Sequence, residues 1–163
     1  MISHPIPPVF NSESEILILG SFPSVKSREI GFFYGHKQNR FWRMLSLVFE
    51  DTLPETIGEK KEFLLKHKLA LWDVIAKCEI TGSSDSSIKN VTVNDFNVIL
   101  NTANIRRICT NGQKAHSLYK KYVFPNTKTE DICLPSTSPA NAAWSLDDLV
   151  SVWRIALLNG KYK

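Results

Sequence analysis

At 163 residues, 43% of them hydrophobic and 10% aromatic, the chain is long enough to bury the core of one domain and too aromatic to be disordered. Its net charge of +4 allows a phosphate-rich partner without requiring one, because only clustering makes a basic balance diagnostic. The three cysteines, Cys78, Cys109 and Cys133, are odd in number and lack C-x-x-C spacing, which fits reduced thiols inside a cell and argues against a structural metal site.

Met1 to Phe10 carries prolines and no long apolar segment, so no signal peptide is expected, and no later run reaches membrane-spanning length. The expectation is a cytoplasmic, monomeric, single domain over residues 1–163 without membrane contact. Glu15 to Gly20 is a continuous apolar run closed by glycine, the pattern of a strand buried on both faces. Ser21 to Ser24 breaks it, and a basic loop with Lys26 and Arg28 leads to Tyr34-Gly35-His36-Lys37-Gln38-Asn39. A helix is predicted from about Arg40 to Glu50, with Asn39 at its mouth as a possible N-cap, and a second from about Glu55 to Lys68.

Leu69 to Val74 reads as another buried strand with Asp73 near its carboxyl end. Gly82 to Ser87 is a small polar loop, and Asn94 or Asp95 is placed to cap a helix reaching about Asn101. Ile105 to Thr110 is a third strand, closed by Asn111-Gly112 and followed by a helix with Ala115, Leu118, Tyr119 and Tyr122 on one face. Asp131 to Leu134 is a fourth strand, opening into Pro135 to Asn141. Ser145 to Asp148 matches a capping box before a last helix that stops near Gly160. Strands alternating with helices predict a three-layer α/β/α sandwich on a central four-stranded, mostly parallel sheet. In such sheets ligands sit beyond the carboxyl ends of the strands, where the polar and Gly/Pro-rich segments of this chain fall.

The chain lacks a P-loop, a dinucleotide fingerprint and a nucleophile elbow. Instead Ile18-Leu19-Gly20-Ser21-Phe22-Pro23-Ser24, then Tyr34 through Trp42, then Leu134 through Asn141 together resemble the uracil-DNA glycosylase superfamily. Within it, Phe-Pro-Ser, Gln38-Asn39-Arg40-Phe41-Trp42, Gly-Ser-Ser-Asp-Ser-Ser and Ser-Thr-Ser-Pro-Ala-Asn are similar to the hypoxanthine-DNA glycosylase branch, over roughly Glu15 to Trp153.

The resemblance implies an enzyme that flips a damaged base out of DNA and hydrolyses its N-glycosidic bond without metal or organic cofactor. It departs from several relatives at Phe22, where they carry a catalytic Asn or Asp, and it lacks the histidine that the uracil-specific branch has in its second motif. In the hypoxanthine branch the asparagine that begins Asn-Arg-Phe-Trp carries the essential role, so the resemblance implies that Asn39 is catalytic, and it is expected to hold the attacking water through its amide oxygen. Ser21, Phe22, Tyr34 and Asp73 are expected to bind the base, with Tyr34 and Phe22 stacking on it and Asp73 accepting the N1–H of hypoxanthine. Ser24, Asn111, Gly112, Ser136 and Ser138 are expected to donate to phosphates, and Pro139, Ala140 and Asn141 to fill the gap left by the base. The competing readings are capping for Asn39, core packing for Phe22 and Tyr34, and a backbone or cap role for Asp73. For the whole chain, the alternatives are action mainly on uracil, xanthine or mismatched bases, or DNA binding without catalysis.

Overall fold

The computed structural model describes residues 1–158. In chain order the strands are β1 (Ile2–Ser3), β2 (Ile16–Gly20), β3 (Leu69–Asp73), β4 (Ile75–Glu79), β5 (Lys89–Val93), β6 (Arg107–Asn111) and β7 (Asp131–Leu134). The helices are α1 (Val25–Ile30), α2 (Phe41–Val48), α3 (Ile57–Lys66), α4 (Asn97–Leu100), α5 (Gln113–Leu118), α6 (Phe124–Thr127) and α7 (Leu146–Leu158). The central sheet has the order β3-β2-β6-β7, and every pairing in it is parallel.

Successive residues of a strand point to opposite faces, and both faces of β2 are covered. Leu17 and Leu19 join one buried cluster with Ala70, Ile99, Ile108 and Leu118; Ile18 joins another with Leu71, Phe41, Leu45 and Trp153. That double burial is why the strand reads as an unbroken apolar run. Helices α2, α3 and α7 supply the Ile18 side. Helix α2 buries Phe41, Met44, Leu45 and Val48, the i, i+3, i+4, i+7 stripe of an amphipathic helix. Two capping boxes fix helix starts: Thr56 with Glu59 before α3, and Ser145 with Asp148 before α7. The expected stop near Gly160 lies outside the described residues.

The Leu17 side differs from a purely helical layer. Besides α4 and α5 it holds a second, three-stranded antiparallel sheet of order β1-β4-β5, which contributes Ile75 and Cys78 to the cluster. The chain leaves β3 and enters β4 with only Val74 between them. The N-terminal segment then returns along these strands. His4 N–H donates to Ala76 O at 2.7 Å, and Val9 exchanges hydrogen bonds with Leu71 at 3.0 and 2.9 Å, covering the edge of the central sheet.

Two local expectations are revised, and between two alternatives a third is decided. The basic loop after Ser24 contains the short helix α1, with Ser24 as N-cap and Gly31 as a left-handed C-cap. The helix after Gly112 is interrupted by a π-turn at Tyr119–Val123 before α6, which has proline in its first turn. Asp95 does receive the Asn97 N–H at the start of α4, whereas Asn94 turns its amide onto Asp73 O and Ile75 O. Cys78, Cys109 and Cys133 are free thiols, and burial pushes Cys109 up to about 12. Among the described residues no helix is long and apolar enough to cross a membrane.

Candidate active site

Register sets the position of the site. Gly20 pairs with Asp73, Leu19 with Thr110, and Asn111 with Leu134, so the four parallel strands end level and their loops leave one edge of the sheet together. A cavity of about 360 Å³ opens there. Of the expected site residues, Ser21, Phe22, Ser24, Tyr34, Asn39, Asp73, Asn111, Ser136, Ser138, Pro139 and Ala140 line it. Gly112 and Asn141 do not.

Asn39 is held by a chain of hydrogen bonds that crosses three segments. Its Oδ1 accepts the Phe41 N–H at 3.0 Å and the Thr137 hydroxyl at 2.9 Å. Thr137 is itself clamped by Asn111, whose Nδ2 donates to Thr137 Oγ1 at 3.1 Å and whose Oδ1 accepts the Thr137 N–H at 3.0 Å. A backbone N–H can only donate, so the oxygen end of Asn39 must face Phe41. Its two lone pairs are thereby used, which leaves the Nδ2 hydrogens as the part of this cavity-lining side chain still free. The expected water-holding oxygen is thus already occupied. The capping alternative is partly realised: Arg40 is the formal N-cap and makes no side-chain cap bond, while Asn39 satisfies the Phe41 amide.

Arg40 was not among the expected residues, and its signal is only its place next to Asn39. Its guanidinium reaches the carbonyl oxygens of Thr137, Ser138, Asn141 and Trp144, and its own N–H donates to Thr137 O at 3.1 Å. It fastens the Ser136–Asn141 loop to the start of α2. Within that loop Asn141 spends its Nδ2 on Ser136 O, so it pins the loop from inside, while Pro139 and Ala140 stand exposed at the mouth.

The expected phosphate donors sort by what they have left. Gly112 N–H donates to Leu134 O at 2.8 Å and continues the β6–β7 ladder, so that donor is spent. At φ +97, with Ser136 Cβ 3.1 Å from where its own Cβ would stand, the position calls for glycine on packing grounds. Ser24 caps α1 and donates its hydroxyl to Ser27 Oγ, and Asn111 uses its oxygen and one Nδ2 hydrogen on Thr137 and stands beside the Tyr34 hydroxyl with the other. Ser136 Oγ and Ser138 Oγ accept the N–H groups of Ser138 and Ala140, which leaves both hydroxyl hydrogens free to donate.

On the opposite wall Tyr34 adopts a left-handed backbone (φ 54), and its ring stacks on Phe41 at 4.1 Å and 25°. Its hydroxyl is buried and makes no hydrogen bond of ordinary geometry, with the Asn111 amide its near neighbour. Burial, then the charge of Asp73, push that phenol well above its ordinary value. Phe22 is 9% exposed and belongs to the core cluster on the Leu17 side, so packing and lining coexist in one ring. Asp73 is 3% exposed. It neither caps a helix nor binds a backbone amide; its Oδ2 meets His4 Nε2 at 2.7 Å. Gly20 has no alternative here, since a Cβ would stand 2.4 Å from Asp73 Oδ1 and 2.9 Å from Tyr34 Oη. Two further polar residues were not anticipated. His4 has no local sequence signal, and Asp85, in the Gly82 to Ser87 loop, lines the cavity and accepts the Ser21 hydroxyl at 2.9 Å.

Comparison with known proteins gives a consistent picture. Residues 7–156 match the family described as the uracil DNA glycosylase superfamily. A Methanosarcina acetivorans protein named hypoxanthine DNA glycosylase is 37% identical over 147 residues, 89% of this chain and 92% of its own length. A Methanosarcina barkeri protein of the same name is 37% identical over 111 residues, 67% of this chain and 70% of its own. The solution NMR structure of a candidate uracil DNA glycosylase from Methanosarcina acetivorans superposes with a TM-score of 0.78 at 33% identity, covering 94% of this chain and 98% of that one.

Proposed function

This chain belongs to the uracil DNA glycosylase superfamily, and from that membership we propose that it is a monofunctional glycosylase excising hypoxanthine, the deamination product of adenine, from DNA. The observation that carries the reading is the meeting of Asn39, Asp73 and Tyr34 in one cavity at the carboxyl ends of the parallel strands. A volume of about 360 Å³ suits an extruded purine, which must leave the stack before its glycosidic bond can be reached.

Hydrolysis joins a water oxygen to the sugar C1′ while the bond from C1′ to the purine nitrogen breaks. The bonding pair leaves with the base, and the water proton balances it. Positive charge grows on the sugar and negative charge on the purine, so the protein accelerates the reaction by fixed dipoles and by placing the water. Asn39, locked by Thr137 and Phe41, presents Nδ2–H to this region. It holds the water by donating to one of its lone pairs, the other being aimed at C1′. No lysine lines the cavity among the described residues, which favours water over an amine as the nucleophile. Tyr34 shelves the base on its Phe41-backed ring, and Asp73 accepts from N1–H. Ser136 and Ser138 donate hydroxyls to phosphates, and Pro139 with Ala140 enters the vacated stack.

Purified protein on duplexes with a single deoxyinosine, deoxyuridine or deoxyxanthosine tests the reading. Abasic sites should form fastest at deoxyinosine. A uracil- or xanthine-first order supports the second reading, the same chemistry on another deaminated base, which gains weight because those bases also present N–H beside C=O to Asp73.

A further inference from the structure

Two polar features of the base wall remain without an assigned role: the Tyr34 hydroxyl and the histidine behind Asp73. The hydroxyl is buried and makes no hydrogen bond of ordinary geometry; the Asn111 amide stands near it as a donor, so the hydroxyl's own hydrogen is free for a ligand. It converges with Asp73 Oδ1 over Gly20, the two atoms lying 2.9 and 2.4 Å from the point where a Cβ would stand. His4 sets the other half of the arrangement. Its Nδ1 accepts the Ile6 N–H at 3.1 Å, so the ring hydrogen sits on Nε2 and is donated to Asp73 Oδ2 at 2.7 Å. The ring is fixed by aromatic neighbours, with Phe22 at 5.8 Å and Phe33 at 6.1 Å, and by the pairing of β1 with β4. Asp73 is left with one uncommitted oxygen, an acceptor, beside one uncommitted hydroxyl.

We propose that Asp73 Oδ1 and Tyr34 Oη read the N–H/C=O edge of the flipped base as a pair, and that His4 is the positioning residue that presets Asp73 for it. This rests on the glycosylase reading above. In hypoxanthine, N1–H donates to Asp73 Oδ1 while O6 accepts from Tyr34 Oη. Adenine offers an unprotonated N1 to the same carboxylate oxygen, setting acceptor against acceptor. Deamination of adenine turns one edge into the other, so the pair separates hypoxanthine from adenine. Guanine shares the edge, and its exclusion falls to the greater cost of unpairing an intact G·C pair.

Single-turnover excision measured on matched duplexes containing deoxyinosine or deoxynebularine, whose purine has neither the 6-oxo group nor N1–H, separates this from a structural role. Tyr34→Phe keeps the ring and its stacking and should slow deoxyinosine cleavage about tenfold, the value of one lost hydrogen bond, narrowing by that factor the preference over deoxynebularine, which meets Asp73 with an unprotonated N1 as adenine does and is the slower substrate of the wild type. His4→Phe should show the same selective loss. His4→Gln, which can again donate to Asp73 Oδ2, should recover most of it. Equal losses on both substrates, or no loss on deoxyinosine, overturn the paired reader. If His4→Phe does not fold, Tyr34→Phe decides alone. A wild-type protein that releases no base from deoxyinosine overturns the functional reading and the reader with it, whereas active wild type with indifferent variants overturns the reader only.

Discussion

The two walls of the cavity are built on opposite terms. On the Asn39 wall each identified acceptor is satisfied within the protein: Asn111 clamps Thr137, Thr137 and Phe41 fill the Asn39 oxygen, and Arg40 ties down the loop. On the Asp73 wall, His4 consumes one carboxylate oxygen, while the other oxygen and the Tyr34 hydroxyl hydrogen stay unmatched. Groups that stabilise developing charge act best when they need not reorganise, so the first wall is closed in advance. Groups that choose a base must gain more from the right one than from the wrong one, so the second is completed only by a ligand.

The comparison breaks most visibly at Asn39. Asn39→Ala should lower the single-turnover rate by about 10²–10³-fold, as loss of one preorganised donor does, with DNA binding retained. Asn39→Asp is the sharper probe. It keeps an acceptor for Phe41 and Thr137 and replaces the Nδ2 donor by a second acceptor. Were the cavity-facing end an acceptor in the native enzyme, the aspartate would work well; with a donor there, it should fall nearly as far as the alanine.

On the other wall, Asp73→Asn should reverse the edge that is read. His4 keeps an oxygen at the Oδ2 position, so the new amide must turn its NH₂ toward the base. Excision at deoxyinosine is expected to drop by roughly 10–100-fold, because a lost hydrogen bond is compounded by donor facing donor. Discrimination against deoxyadenosine opposite an abasic site should shrink, and rates on the paired substrates measure both effects. A variant that lost activity without altered discrimination would place Asp73 in the scaffold.

A smaller effect is expected from Thr137→Val, which keeps shape and removes the link between Asn111 and Asn39. About tenfold slower chemistry with unchanged DNA affinity is the expected signature, the cost of one hydrogen bond that orients a side chain rather than contacting substrate. Equal slowing in affinity and rate would mean that the loop, not the amide, had moved.

The same contrast governs what the sequence could reveal. All four strands of the central sheet were legible, Asp131–Leu134 to the residue, because each carries a short apolar stretch: Ile16 to Leu19, Leu69 to Trp72, Ile108–Cys109 and Ile132 to Leu134. The small sheet was not. Strand β5 is Lys-Asn-Val-Thr-Val and largely exposed, β1 is two residues long, and β4 follows β3 so closely that no turn signal separates them. Asn39 and Tyr34 were found through a motif on a loop, and Asp73 through its place at the carboxyl end of β3. Their orienting partners were not, since His4 lies 69 residues from Asp73, and Thr137 lies 98 from Asn39. Local pattern records which segments are buried; which side chain completes another's hydrogen bonding is settled only by tertiary closure.

The smallest expected effect lies at the rim between the walls. Ser136 and Ser138 accept loop N–H groups and keep hydroxyl hydrogens for a phosphate, so each serine joins loop and ligand. Replacing Ser138 by alanine removes both bonds, yet the Arg40 contact to Ser138 O holds the loop by its backbone. DNA affinity should weaken only about three- to tenfold, the worth of one hydrogen bond to an exposed anion, and equally for damaged and undamaged duplexes. The slope of affinity against salt should stay unchanged, because a hydroxyl releases no counterion on binding. A selective loss on deoxyinosine duplexes would instead move Ser138 from the phosphate track into the base wall, and the division between the two walls would have to be redrawn around it.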